Sequence, residues 1–359
     1  MELLLIVGAA FLAFSNGAND NFKGFATIWG SETLSYRRAL AFATAATVAG
    51  SLMSLALAQS LVAQFSGKGL VPDDVVGNPQ FILSVGLGAA ATVAVATRAG
   101  LPISTTHALI GGLVGAGWAQ SDSAMNLASL GGTFFLPLLM SPFVAAALGG
   151  LVYLLLGKRD PERDCACIVE EQAGGAVDNA SVVIRQATGS RLIFDTERKC
   201  DELVAPARLR VSRTLDRVHT LSAVTICFAR GVNDTPKLAA VLLAAHAFNV
   251  QASIVAIAAA MALGGLAFSR RVARTMSQRM VRMDHTQGLS ANLITAGLIL
   301  FASKLGMPVS TTHVSVGSIA GVGIGARSID WKTANAVVLS WIATLPLAAL
   351  ASYAIGCLT

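Results

Sequence analysis

The chain has 359 residues, 54% of them hydrophobic and only 13% charged, with a mean hydropathy of +0.65 and a formal net charge of +6. Soluble domains carry nearer a quarter charged residues, so this composition excludes an ordinary water-soluble enzyme or binding domain. Apolar windows at 38–62, 80–97, 131–156, 238–268 and 333–357 approach or exceed the ~20 residues that cross a bilayer. They are unbroken Ala/Leu/Val runs, which predicts an all-α polytopic protein of the cell (inner or plasma) membrane and not a β-barrel of short alternating strands.

The chain opens on MELLLIVGAAFLAFSN, an apolar helix. Glu2 replaces the basic start of a signal peptide, and no A-x-A site follows. The helix then meets GANDNFKG, Gly17 to Gly24, which sets Asp20 and Lys23 among the amides Asn16, Asn19 and Asn21. Further on, ATRAGL breaks the helix of 80–97 at Gly100, and P-I-S-T-T-H (Pro102–His107) starts another. Proline suits the first helical position, and serine and threonine cap it. The apolar stretch after it, ALIGGLVGAGWAQ, is short and glycine-rich, which predicts a re-entrant hairpin. A helix restarting inside a membrane exposes unpaired N–H groups and its positive dipole end, an anion site by construction. The hydroxyls of Ser104, Thr105 and Thr106 add donors.

Residues 158–218 form a polar block with nearly balanced charge, predicted to be a cytoplasmic loop or small subdomain. Within it, ASVVIRQATG and SRLIFDTERK read as two short strands of a hairpin. Cys165, Cys167 and Cys200 lack the paired C-x-x-C spacing of a zinc site and read as reduced surface thiols, so no metal is expected. His246, alone in LLAAHAFNV, reads as structural. A basic block, Ser269–His285, reads as a cytoplasmic connecting loop under the positive-inside rule. It has no aromatic residues or motif that would serve nucleic acid.

Two motifs recur. SNGANDNFK (Ser15–Lys23) returns as ARGVNDTPK (Ala229–Lys237) at an offset of 214, and RAGLPISTTHALIG (Arg98–Gly111) as KLGMPVSTTHVSVG (Lys304–Gly317) at 206. The second offset also places Ser84 on Ser290. The chain is therefore two homologous repeats, 1–157 and 219–359, joined by the block at 158–218. Duplicated halves with matching Gly/Pro-interrupted apolar segments point to a transporter whose site lies where the repeats meet. The second copy supplies Ser310, Thr311 and Thr312. His107 and His313 either titrate or donate to an anion, or are satisfied structurally.

The paired Gly-x-Asn-Asp and Pro-x-Ser-Thr-Thr-His motifs resemble the PiT family of inorganic phosphate transporters, across both halves. The resemblance implies an inverted-repeat helical bundle with broken helices and re-entrant hairpins, commonly a homodimer. It implies phosphate as the partner, no cofactor, and a co-transported proton or sodium ion. It assigns Asn19, Asp20, Asn233 and Asp234 to the cation and phosphate centre with the hairpin tips, and makes Ser84 and Ser290 secondary contributors. One departure stands out: where the family commonly has Asn, three residues after Asp, this chain has Lys23 and Lys237. Each is an i,i+3 neighbour of its Asp. Either the ammonium occupies a cation position, which favours proton over sodium coupling, or the lysines snorkel to an interface. Sulfate is the alternative substrate. A membrane-embedded phosphate-processing enzyme using the two histidines is a further alternative, without any G-x-x-x-x-G-K-[ST] loop to support it.

Overall fold

A computed structural model describes residues 1–58, 60–121, 125–156, 165–172, 187–195, 207–244, 249–281, 283 and 285–359. Cys200 and His246 lie outside the described residues. The chain packs as two compact units, Met1–Leu155 with His219–Thr359, and Leu156–Val218.

The larger unit is helical. Its first half holds α1 (Glu2–Asp20), α2 (Ala26–Gly30), α3 (Tyr36–Leu57), α4 (Pro79–Ala99), α5 (Thr105–Gln120) and α6 (Leu136–Leu156). The second holds α7 (Val211–Ala244, in this unit from His219), α8 (Val250–Phe268), α9 (Arg270–Arg274), α10 (His285–Lys304), α11 (Thr311–Gly325) and α12 (Trp331–Leu358). Among the described residues, seven segments are long and apolar enough to cross a membrane. Two of these, Glu2–Gly30 and Thr286–Lys304, were not among the apolar windows. Polar residues lower their hydropathy, yet Ser290 and Thr295 bond back to Thr286 O and Ala291 O, each at 2.8 Å, at little cost to the helix. The window 238–268 is in fact two helices, because Asn249 caps α8 by accepting from Ala252 N at 2.8 Å.

The hairpins form as predicted in kind, but their helices start later. Gly100 and Gly306 adopt φ of +75° and +67°, and Leu101 N and Met307 N bond back to Ala96 O and Ala302 O, each at 2.9 Å. These are Schellman ends, which need the left-handed region that glycine enters freely. Helices α5 and α11 then begin at Thr105 and Thr311, not at Pro102 and Pro308. Ser104 and Ser310 are the N-caps. The backbone at Pro102 and Ile103 is held outside the helix by Trp341 Nε1, donating to Pro102 O at 3.1 Å, and by Asn19 Oδ1, accepting from Ile103 N at 3.2 Å. At 16 and 15 residues, α5 and α11 reach only about 24 Å, short of the ~30 Å hydrocarbon core.

The two halves interlock through small residues. Gly111 and Gly115 of α5 lie against the carbonyls of Leu345 and Ala349 on α12, the last helix of the other half. Their 206-offset partners, Gly317 and Gly321 of α11, lie against Pro142 O and Ala146 O on α6. The motif glycines do the same: Gly17 of α1 abuts Met261 O on α8, and Gly231 of α7 abuts Thr47 O on α3. A methyl at any of these six would overlap a backbone atom of the opposite half. Between helices in lipid, such close backbone approach supplies the packing that hydrophobicity does not.

One further expectation gains detail and another changes. The basic block is helical through α9 and a π-turn at Thr275–Arg279, because Val272, Met276 and Met280 form a buried stripe at i, i+4 spacing. In the smaller unit a three-stranded antiparallel sheet has the order β2-β1-β3, with β1 Cys165–Gln172, β2 Ala187–Asp195 and β3 Ala207–Arg210. Strand β2 runs straight through Gly189–Ser190, where the sequence placed a turn. Pairing with Glu171 and Glu170 of β1, ending at a bulge, carries the glycine within the ladder.

Candidate functional site

The first GxND motif breaks its helix. Helix α1 ends at Asp20, a 3₁₀ turn spans Lys23–Phe25, and α2 resumes at Ala26. The second motif stays inside α7, with Pro236 accommodated in the helix. Both motifs nevertheless deliver the same side chains to the same place, the meeting point of the two hairpin tips.

There each lysine is gripped by oxygens from both halves. Lys23 Nζ donates to Asp20 Oδ1, to Ile103 O at 3.1 Å and to Thr312 Oγ1 of the opposite tip. Lys237 Nζ repeats this with Val309 O at 2.8 Å and Thr106 Oγ1 at 3.0 Å, and forms an ion pair with Asp234 Oδ1 at 3.6 Å. An ammonium has three protons to donate, and each ammonium faces one carboxylate, one carbonyl and one hydroxyl, the carboxylate of Lys237 being an ion-pair partner and not a hydrogen-bond acceptor. The tips also clasp each other: Thr312 Oγ1 donates to Ile103 O at 2.7 Å, and Thr106 Oγ1 to Val309 O at 3.4 Å. Lys23 and Lys237 are 3% and 1% exposed, so they do not snorkel.

The asparagines anchor the hairpins. Asn19 Nδ2 donates to Thr97 Oγ1 at 2.9 Å and Leu101 O at 3.0 Å. Asn233 meets Ser303 Oγ at 3.0 Å and Val309 O at 3.4 Å. Ser104 and Ser310 accept from His107 N and His313 N at 3.1 and 3.2 Å, so their oxygens serve as caps. Thr105 Oγ1 accepts from Asn16 Nδ2 at 3.0 Å. The amides of Thr105, Thr106, Thr311 and Thr312 precede the first i−4 bond of their helices, at the positive dipole ends.

Two site residues escaped the sequence reasoning. Arg230 is buried, and donates through Nη2 to Asn16 Oδ1 at 2.6 Å and through Nη1 to Asn21 Oδ1 at 3.2 Å and Thr47 Oγ1 at 3.3 Å. Its Nε pairs with Asp234 Oδ2 at 3.5 Å. Asn16 is its partner at the 214 offset, so the repeat touches itself at a position where its copies differ. Among the described residues, three buried cations (Lys23, Arg230, Lys237) thus face two carboxylates (Asp20, Asp234), leaving one positive charge in excess.

Other candidates fall elsewhere. Ser84 and Ser290 bond back to Gln80 O and Thr286 O at 2.7 and 2.8 Å. Each lies 13 residues, about 20 Å along its helix, before the Thr97 and Ser303 anchors, and Ser84 sits beside Gly356. They are not at the tips. The rings of His107 and His313 contact each other, centroids 4.5 Å apart, and His313 lies 4.0 Å from Trp341. Nδ1 of His107 and Nε2 of His313 are buried without a hydrogen-bond partner. They close the seam between α5 and α11 and do not bond to the charged centre.

A profile of the phosphate transporter family matches residues 16–352. The chain belongs to the phosphate transporter family. A probable low-affinity inorganic phosphate transporter of Mycobacterium tuberculosis (strain ATCC 25618 / H37Rv) is 28% identical over 360 residues, covering 97% of this chain and 75% of that one. A putative phosphate permease of Thermococcus kodakarensis is 28% identical over 402 residues, covering 98% and 95%. A solved structure titled as the sodium-dependent phosphate transporter shares the fold, with a TM-score of 0.78 at 19% identity over 99% of this chain and 98% of that one. As a family member the chain is a multi-pass membrane protein and a transporter, which sets the enzyme alternative aside.

Proposed function

We propose that the chain imports inorganic phosphate by alternating access, driven by a proton gradient, with Lys23 and Lys237 as tethered cations where sodium-coupled relatives bind an ion. The observation that carries this reading is the pair of oxygen tripods. Carboxylate, carbonyl and hydroxyl oxygens are the ligand set of a hard cation, and here each set holds an ammonium. The excess charge at Arg230 and the four tip amides favour an oxyanion in the same centre. Asp234 Oδ2, buried and ion-paired with Arg230 Nε at 3.5 Å, accepts no hydrogen bond. A protonated phosphate oxygen donates to it, whereas sulfate has no proton to give, which favours phosphate. Import requires the tip-to-tip bonds of Thr106 and Thr312 to exchange as access changes sides. The family resemblance adds a homodimer to the proposal, checked by light scattering on purified protein.

Uptake of labelled phosphate into reconstituted vesicles tests the reading. A proton gradient should drive accumulation without sodium, and an uncoupler should abolish it. Replacing both lysines (Lys23→Asn with Lys237→Asn) should free the tripods and make uptake sodium-dependent. Wild-type uptake that needs sodium and ignores uncouplers would refute the tethered-cation assignment.

A further inference from the structure

A cavity of about 760 Å³ opens among α1, α4, α8 and α9, and its inner wall, Ser15, Ala18 and Thr97, borders the charged centre where Thr97 accepts from Asn19. Its walls have two characters. One side is apolar: Phe11, Phe14, Val95 and Phe268, of which Val95 and Phe268 are 69% and 59% exposed. The other side carries Arg98, Arg270, Arg271 and Arg274, all exposed. Among the described residues, no carboxylate lines it. Arg271 Nη1 donates to Arg98 O at 2.8 Å, and Arg270 lies over the Tyr36 ring at 5.6 Å. The guanidiniums of Arg98 and Arg274 make no hydrogen bond or ion pair among the described residues, so they are free to serve a ligand. Deeper in, the Ser15 hydroxyl is buried without a hydrogen-bond partner.

Four guanidiniums beside exposed phenylalanine rings match one ligand chemistry, a phosphate group carrying a hydrocarbon tail. We propose that this cavity binds an anionic phospholipid, with its phosphodiester among the arginines and an acyl chain along Phe11, Val95 and Phe268. Basic pockets between helices at a membrane face select such headgroups. A zwitterionic lipid is disfavoured because its ammonium or choline group meets four like charges. Free phosphate lacks the tail that the apolar wall would cover.

Native mass spectrometry of the purified, full-length chain tests this with phosphatidylglycerol, phosphatidylcholine and inorganic phosphate as probes. Phosphatidylglycerol should be retained over phosphatidylcholine. Each arginine at an anionic lipid surface is worth roughly fivefold in affinity. Arg98→Gln with Arg274→Gln should therefore weaken phosphatidylglycerol binding about 25-fold. Arg37→Gln with Arg38→Gln, an equal charge loss outside the cavity, should leave it unchanged. Equal retention of phosphatidylcholine overturns the proposal, as does an equal loss in the Arg37/Arg38 variant. Displacement of the lipid by inorganic phosphate or by the deacylated headgroup also overturns it and makes the cavity a free-phosphate vestibule. Unfolding temperatures of both double variants should match the wild type; a large drop in the Arg98/Arg274 variant assigns those arginines to the fold and overturns the proposal as well.

Discussion

Lys23 is held by three oxygens of three kinds, and its carboxylate partner is one of them, so the two charges should be thermodynamically coupled. Removing one member of a buried pair leaves the other uncompensated and costs about 3–5 kcal/mol. Lys23→Met and Asp20→Asn should each destabilise by that order in detergent-solubilised protein. The double variant should recover most of the loss, because nothing charged is stranded. Additive losses would mean that the pair does not interact as drawn. Arg230 has a different role, since it supplies the charge in excess. Arg230→Gln should raise the Kd for phosphate at least tenfold by calorimetry, roughly the worth of one charge-assisted contact. Arg230→Lys should recover only part, keeping the charge but losing the planar fork that spans Asn16, Asn21 and Asp234. An unchanged Kd in Arg230→Gln would remove it from the site. The sequence displays this residue one position before the second GxND motif, yet a search for repeats rewards identity. Asn16 and Arg230 matter because they differ, and only the contact between them reveals it.

Helix contacts explain the glycines that the motifs keep. Gly17 and Gly231 do not turn the chain; they let α1 approach α8 and α7 approach α3. A methyl at Gly17 overlaps Met261 O, and Gly264 makes the reciprocal approach to Phe14 O, so neither backbone has room to yield. Overpacking of this kind costs typically 1–3 kcal/mol. Gly17→Ala should lower the unfolding temperature accordingly and reduce uptake, because Asn19 and Asp20 follow on the same helix. Gly77→Ala, with no atom within 4 Å of the added carbon, is the matched control and should be silent. A Gly17→Ala protein as stable as that control would contradict the packing. At this scale element types are legible in the sequence and element ends are not. The hairpins were legible from Gly100 and Gly306, whose left-handed ends are a backbone requirement. The start of α5 was not, since Pro102 is a good first helical residue in isolation. What holds it out of the helix comes from Asn19 and Trp341, 83 residues before it and 239 after.

Across the whole molecule, the duplication was legible because two motif pairs keep their order, whereas the way the halves interlock was not. Each hairpin helix packs on the last helix of the other half through glycines that look like ordinary membrane-helix composition in the sequence. The same long-range contacts fix which helix ends share a membrane face. Arg270 lies over Tyr36 at the start of α3, and Arg271 bonds to Arg98 O at the end of α4. Those contacts gather Arg37, Arg38, Arg98, Arg270, Arg271 and Arg274 at one face of the bundle. Clustered arginines in short connections mark the cytoplasmic side, so this face should be cytoplasmic. The exposed Gln278, in the π-turn after α9, reports on it. In a chain with its five native cysteines replaced, Gln278→Cys should react with a membrane-impermeant maleimide in inside-out vesicles and stay unlabelled in right-side-out ones. The opposite pattern would invert the topology. It would also move the proposed lipid cavity to the outer leaflet, where the anionic lipid of the cytoplasmic surface is absent and the four arginines would lack their partner.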